Sequence, residues 1–163
     1  MKKKKFVFSC LNENYGGCLD PKDLRLFYYD ICFDSETGNA LIYQWDEEVQ
    51  AYVDANNVLV KEVEDNEVPS SFEENKIYLT LYKKEKGNKA IALFRHLRNA
   101  VFHYHIGYDG KYYCMKDFQD KKQTKQTMIG KIDRNHFNEL MKIFFKQKAK
   151  VEETIQRVNY PEV

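Results

Sequence analysis

The residues able to do chemistry are concentrated in Leu93-Phe94-Arg95-His96-Leu97-Arg98-Asn99-Ala100-Val101-Phe102-His103-Tyr104-His105, which holds three of the chain's four histidines. Arg98 is always charged, and its planar guanidinium matches phosphate oxygens in pairs. His103 is the kind of side chain whose proton moves near neutral pH. With a phosphodiester across them, Arg98 could offset charge that builds up on phosphorus. His103 could take the proton from a ribose 2′-hydroxyl or give one to the leaving oxygen, a step worth about 10²–10⁴-fold. Asn99 could hold the imidazole or the phosphate in register. One imidazole does not readily serve as both acid and base in a single step. No metal or cofactor is needed for this chemistry, and the sequence signals none.

The run Leu97-Arg98-Asn99-Ala100-Val101-Phe102-His103 resembles the R-x4-H signature of the HEPN superfamily, in which an Asn directly follows the Arg. The resemblance extends over residues 72–148 and includes a β-hairpin and a last helix after the motif. It implies a mainly α fold, a HEPN-like helical bundle with a small β-hairpin and short strands after the motif helix. It also implies a metal-independent endoribonuclease, in the setting of a toxin or an anti-phage effector, with Arg98, Asn99 and His103 as its catalytic residues. The expected partners are RNA, a second copy of the chain and, for a toxin, a neutralising antitoxin protein. In the homodimer two motif helices would face each other and supply two Arg/His sets to one composite cleft. Many members carry a small residue, often Gly, after the His; here the position is Tyr104. A catalytically inactive HEPN-like module that binds RNA, a nucleotide or a protein partner is the alternative.

These residues must be carried by a helix. Ala90, Leu93, Phe94, Leu97, Ala100, Val101 and Tyr104 follow the i, i+3, i+4, i+7 pattern of a face packed on a core, with a start near Lys89. Arg98 and Asn99 lie off that stripe, and Asn99 and His103 are one turn apart. Arg98 and His103, five residues apart, are separated by about 140° around an ideal helix, so they converge only through the long Arg side chain or a frayed helix end. The structural alternatives are Arg98 as an ion-pair partner and His103 as a hydrogen-bonded residue at a helix end, where cations are favoured. Arg95, His105, Lys116, Lys121 and Lys122 are candidates for holding the RNA backbone, although a lysine-rich stretch is more often a solvated loop. His96 and His105 read as surface or supporting groups, and His136 as a solvent-facing residue of the last helix.

Other elements frame the motif. Asp20-Pro21-Lys22-Asp23 is a helix start, followed by the stripe Leu24, Phe27, Tyr28 and Ile31. Ser35 to Asn39 reads as a turn, and Ile42 to Val53 fits a second helix, with a hairpin over Phe27 to Tyr43 as its competitor. Val58, Val60 and Val63 could form an edge strand. Ser71 and Glu74 match a capping box for a helix from Phe72 to Lys84. Asp109-Gly110 predicts a tight type I′ hairpin turn, Thr127 to Ile132 a short strand, and Asp133 the cap of a final helix bearing Phe137, Leu140, Met141, Phe144 and Phe145 on one face.

Composition limits the class. The chain has 163 residues, 43% hydrophobic and 31% charged, as expected of one globular domain. The organisation expected is an N-terminal tail or edge segment over 1–19, a single HEPN-like domain over 20–150 and a C-terminal tail over 151–163. A net charge of +1 gives no global polyanion-binding signal, so nucleic-acid contact must come from local patches. Twelve Tyr and eleven Phe suit a core more often than a base-stacking surface. Cys10, Cys18, Cys32 and Cys114 show no zinc spacing. The start, Lys2 to Lys5 followed by Phe6-Val7-Phe8, is too short in apolar residues for a secretory segment. No run approaches the ~20 residues of a membrane span. The expectation is a cytoplasmic protein with buried thiols and no membrane partner.

Overall fold

The structure, a computed structural model, describes residues 19–33, 42–85 and 87–159. Helix α1, Pro21–Arg25, starts as its sequence requires. Asp20 accepts from the backbone N–H of Lys22 and Asp23, and the Asp23 side chain closes the capping box. The helix continues as a wider π-helical segment, Leu26–Phe33, that buries Phe27 and Ile31. Helix α2, Glu47–Ala55, is capped by Asp46. Strand β1, Leu59–Glu62, and strand β2, Lys76–Leu79, precede the motif helix α3, Lys89–Phe102. Strands β3, Ile106–Tyr108, β4, Tyr112–Phe118, and β5, Gln126–Asp133, lead into the long helix α4, Arg134–Asn159. Asp133 accepts from the N–H of Asn135 and His136 at the start of α4, and residues 151–159 extend that helix into solvent.

The five strands form one mixed sheet in the order β1-β2-β5-β4-β3, with β1 and β2 parallel and the other pairs antiparallel. The expected mainly α bundle is therefore corrected to a mixed α/β fold. The decisive segment is 72–84, read as a capped helix. Its run Ile77-Tyr78-Leu79 alternates, burying Ile77 and Leu79 on one face with Tyr78 half-buried between them, as a strand does. Its partner β5 lies some fifty residues further on, so no local pattern announces the pairing. The expected edge strand around Val60 is present as β1. The proposed turn at residues 35–39 lies outside the described residues.

One row of residues crosses the sheet from edge to edge: Val60, Ile77, Gly130, Met115 and Ile106 are successive cross-strand neighbours, all buried. Helices α3 and α4 and the π segment cover this face. The aromatic residues do the filling. Phe27 meets the rings of Tyr113 and Phe137 at 5.1 and 5.3 Å, and Phe94 lies against Tyr43 and Phe144 at 4.4 and 5.4 Å. A polar clasp ties α1 to the sheet. Buried Asp23 accepts from the Tyr113 hydroxyl and pairs with Arg134, which also holds Asp20 at 2.7 Å. Burial, then the Asp23 carboxylate, pushes the Tyr113 phenol well up. Segment 72–75 lies over the opposite face, where Tyr112 donates to Glu74 at 3.1 Å and the Lys116 ammonium sits 5.2 Å from the Phe72 ring.

The β3–β4 hairpin forms where Asp-Gly places it, but it is not a type I′ turn. Of that pair only Gly110 has positive φ, 101°. The Asp109 carboxylate accepts from the N–H of Lys111 and Tyr112 at 3.0 and 2.7 Å, so a side chain closes a three-residue connection. Among the described residues no helix is long and apolar enough to cross a membrane.

Gly130 occupies the centre of the core-facing row, where a side chain would crowd its neighbours. A Cβ there would lie 3.0 Å from Ile77 Cγ1 and 3.2 Å from Met115 Cγ. Gly130→Val is expected to lower stability by about 1–3 kcal/mol through overpacking, read as a drop in the denaturation midpoint. An unchanged midpoint would show that the row can open.

Candidate functional site

Asn88 accepts from the N–H of Ile91 and starts α3 where the sequence places it. The helix buries Ala90, Leu93, Phe94, Leu97, Ala100 and Val101 against the sheet. His96, read as a surface or supporting group, is wholly buried on the same side. It sits three residues after Leu93 and four before Ala100, in phase with the apolar stripe, and that phase is the signal that could have found it. Its Nδ1 lies 2.7 Å from Asp117 Oδ2. Its Nε2 lies 2.8 Å from the Thr80 carbonyl oxygen and 3.1 Å from Arg95 Nη2, an acceptor and a donor.

Asp117 is the second residue the sequence reading missed. It alternates with Tyr113 and Met115 along β4 and so faces the core, 1% exposed. The burial is tolerable because both carboxylate oxygens accept hydrogen bonds. Oδ2 accepts from His96 and, at 3.2 Å, from Asn99 Nδ2, while Oδ1 accepts from the Phe118 N–H at 2.9 Å. Asn99 in turn accepts from Arg98 Nη1 at 3.3 Å. A continuous polar chain thus runs from Arg98 through Asn99 and Asp117 to His96. Beyond His96 it continues through Arg95 to buried Glu85. Burial opposes ionisation of Glu85, but the Arg95 guanidinium and the Tyr82 N–H outweigh it and hold the carboxyl below its usual range.

The catalytic candidates are thereby placed. Asn99 is clamped by Asp117. Arg98, half-buried, turns its guanidinium onto Asn99 and over the Phe102 ring at 5.2 Å. His103 is the exposed C-cap of α3, with φ −98° and ψ 9°. The helix end is a full Schellman motif: the N–H of His105 donates to the Ala100 carbonyl at 2.8 Å and that of Tyr104 to Val101 at 3.1 Å. Tyr104 occupies the left-handed position of this motif, φ 58°, where glycine is usual. The residue directly after His103 is thus one that bears backbone strain.

The turn brings His105 back beside His103, with ring centroids 6.0 Å apart. His105 stands opposite Lys116, whose N–H donates to its carbonyl at 2.9 Å, and its ring meets Phe118 edge-on at 5.1 Å. Burial, then the nearby charges of His103 and Lys116, lower the His105 pKa, with Asp117 acting in the other direction. Of the residues expected to hold RNA, His105 and Lys116 therefore lie beside the motif. Lys121 and Lys122 are exposed in the connection that follows Phe118. Arg95 is placed differently: it is engaged by Glu85, stacked on Tyr82 at 3.8 Å and hydrogen-bonded to the Thr80 carbonyl. It braces α3. His136 is half-buried, with its carbonyl accepting from the Tyr52 hydroxyl at 3.3 Å. Phe102, turned outward, forms one wall of an open apolar groove with Leu24, Tyr28, Phe33 and Phe145. Cys114 is buried and its thiol is pushed up to about 11, mainly by that burial; a thiol so protonated is a poor nucleophile. Among the described residues no three His, Cys, Asp or Glu side chains are grouped to hold a metal. Comparison with protein-family models, with curated proteins and with solved structures returns no match.

Two outcomes follow from the helix end. Left-handed backbone costs a non-glycine residue about 1–2 kcal/mol, and glycine returns about 0.5–1 kcal/mol of that as unfolded-state entropy. Tyr104→Gly should therefore raise stability, by up to about 1 kcal/mol, and Tyr104→Val should lower it; a fall in the denaturation midpoint for the glycine variant would contradict this. Acid sensitivity is the second outcome. A folded-state pKa below the ordinary 6.5 means the unfolded chain takes up the His105 proton first. That contribution is intact above pH 6.5 and lost as pH falls below it. Glu85, depressed from 4.5, adds a second loss at lower pH. Urea midpoints should thus decline in two stages on acidification, and His105→Asn should flatten the upper one. An upper stage that survives this change would assign it to another group.

Proposed function

We propose that the chain is a metal-independent endoribonuclease whose centre is Arg98, Asn99 and His103. The observation that carries the proposal is the end of α3. Within six residues it sets a guanidinium, an amide clamped by a buried carboxylate and a solvent-exposed imidazole. This is the inventory needed to bind a phosphodiester and move a proton at it. The R-x4-H run that resembles the HEPN signature spans these same residues, so the reading is of HEPN-type chemistry carried on a mixed α/β scaffold.

Arg98 and His103 leave the helix on different sides, Arg98 toward Phe102 and Asn99, His103 toward His105. A homodimer with the motif helices face to face would let Arg98 of one copy serve the His103 of the other. The outward Phe102, 46% exposed, and Tyr104, 56% exposed, flank His103 and offer apolar surface for such a contact. The cellular setting that fits is a cytoplasmic toxin or anti-phage effector, held in check by an antitoxin partner. The second reading, a catalytically silent HEPN-like module that binds RNA, a nucleotide or a protein, is favoured by one observation. The Arg98 guanidinium is turned onto its own helix.

Labelled RNA separates the two. Wild-type protein is expected to cut with and without EDTA and to leave a 2′,3′-cyclic phosphate, because the 2′-hydroxyl is the nucleophile; 2′-deoxy substitution at the cut should block it. His103→Ala and Arg98→Ala should each abolish cutting with the melting temperature unchanged, and Arg98→Lys should not rescue, since it keeps the charge but loses the planar fork. A folded His103→Ala protein that cuts at the wild-type rate would end this assignment.

A further inference from the structure

We propose that His105 is the general base of the cleavage reaction and that His103 is its general acid, so that one chain carries the whole proton-transfer pair. This rests on the endoribonuclease reading above and adds a catalytic residue to it. The geometry is the argument. Proton transfer needs a heavy-atom reach of about 3 Å from each catalytic group. Two imidazoles whose centroids are 6.0 Å apart, tilted by 30°, are close enough for one phosphodiester laid across both to meet each of them. They are held there by backbone rather than by chance. The Schellman turn fixes His105 to the Ala100 carbonyl, and β4 fixes it again through the Lys116 N–H. The Phe118 ring supports one edge of the His105 imidazole. Lys116, the cross-strand neighbour of His105, brings a positive charge to the same side of the sheet.

The assignment of roles follows from surroundings. The charged and titratable groups facing His105 are His103 from the helix end and Lys116 and Asp117 from β4. Burial, with the charges of His103 and Lys116, lowers its pKa against the pull of the carboxylate and so favours the neutral state a base requires. His103 then takes the acid role. The step balances within the substrate. His105 removes the proton of the 2′-hydroxyl, the 2′-oxygen bonds to phosphorus, and the bond from phosphorus to the 5′-oxygen breaks. His103 delivers a proton to that oxygen. The products are a 2′,3′-cyclic phosphate and a 5′-hydroxyl, and exchange with water restores both rings. A dimer would add Arg98 of the second copy to this pair and would not be needed for proton transfer.

The test uses two RNA substrates, one with an ordinary scissile linkage and one with sulfur in place of the bridging 5′-oxygen. A thiolate leaves without protonation, so the sulfur substrate needs a base but no acid. With the ordinary substrate His103→Ala, His105→Asn and His105→Gln should each fall by about 10²-fold or more. With the sulfur substrate His103→Ala should recover to near the wild-type rate, while both His105 variants remain slow. The acid limb of the kcat/KM–pH profile should vanish in the His105 variants. Melting curves on the same samples show that loss of rate is not loss of fold, and the two amides keep a polar group at one or other ring-nitrogen position. If both His105 variants cut the ordinary substrate at the wild-type rate while His103→Ala does not, the inference fails and the endoribonuclease reading stands. If the sulfur substrate rescues His105 variants as well as His103→Ala, His105 is not the base. A wild-type protein that cuts neither RNA ends both.

Discussion

A single buried carboxylate organises the centre of this molecule. Asp117 points from β4 into a face otherwise lined with Met128, Met115 and Tyr113, where an unpartnered charge would cost several kcal/mol. It is tolerated because α3 lays two donors, His96 and Asn99, directly over it. The dependence is mutual. His96, wholly buried, needs Asp117 for one nitrogen and the Thr80 carbonyl just beyond β2 for the other. The helix therefore has one rotation about its axis and one height above the sheet at which all three groups are satisfied. Apolar packing alone would tolerate small slides of α3 along the sheet. A directional hydrogen-bond network of this kind does not.

That fixed placement reaches the helix end. With Asn99 held, the last turn of α3 is held, and the Schellman closure carries the constraint through Tyr104 to His105 and into β3. Both imidazoles are thus attached to rigid backbone, one at the cap and one at the entry to an edge strand, and both stay reachable from solvent. The strain at Tyr104 belongs to the same economy. A glycine would relieve it but would also loosen the joint that sets the distance between the rings. Strained backbone beside a candidate site is a recurrent arrangement for groups that must be pre-positioned.

The sequence disclosed the parts whose signals are local. The start of α3 near Lys89, the final helix after Asp133, the helix cap at Asp20 and the strand around Val60 are read from short stretches of sequence, and each is found. The failures have physical causes. Segment 72–84 carries a capping-box pattern, yet Ile77-Tyr78-Leu79 prefers a pleated, half-buried surface, and the surface that accepts it is made by β1 and β5. A pairing partner so distant in sequence leaves no trace in a short window. Asp109 shows a subtler failure, because its side chain closes the hairpin and removes the need for positive φ at two positions. His96 and Asp117 were legible in principle: each stands in phase with apolar neighbours, His96 at helical spacing and Asp117 at strand spacing. A polar residue in a core phase implies a polar partner in the core, and two such residues on different elements imply each other.

The same reasoning explains why Arg95 and Arg98, neighbours on one helix turn, have different roles. Arg95 faces the side of α3 where Glu85 and Tyr82 approach, and its charge is consumed in a half-buried ion pair stacked on an aromatic ring. Replacing it would leave Glu85 buried without its counter-charge, the arrangement that costs most in a protein interior. Arg98 lies instead against a neutral amide, that of Asn99, and over the Phe102 ring. Position along one helix separates the arginine that holds the scaffold from the arginine proposed to meet a phosphate, and the polar chain through Asn99, Asp117 and His96 links the two.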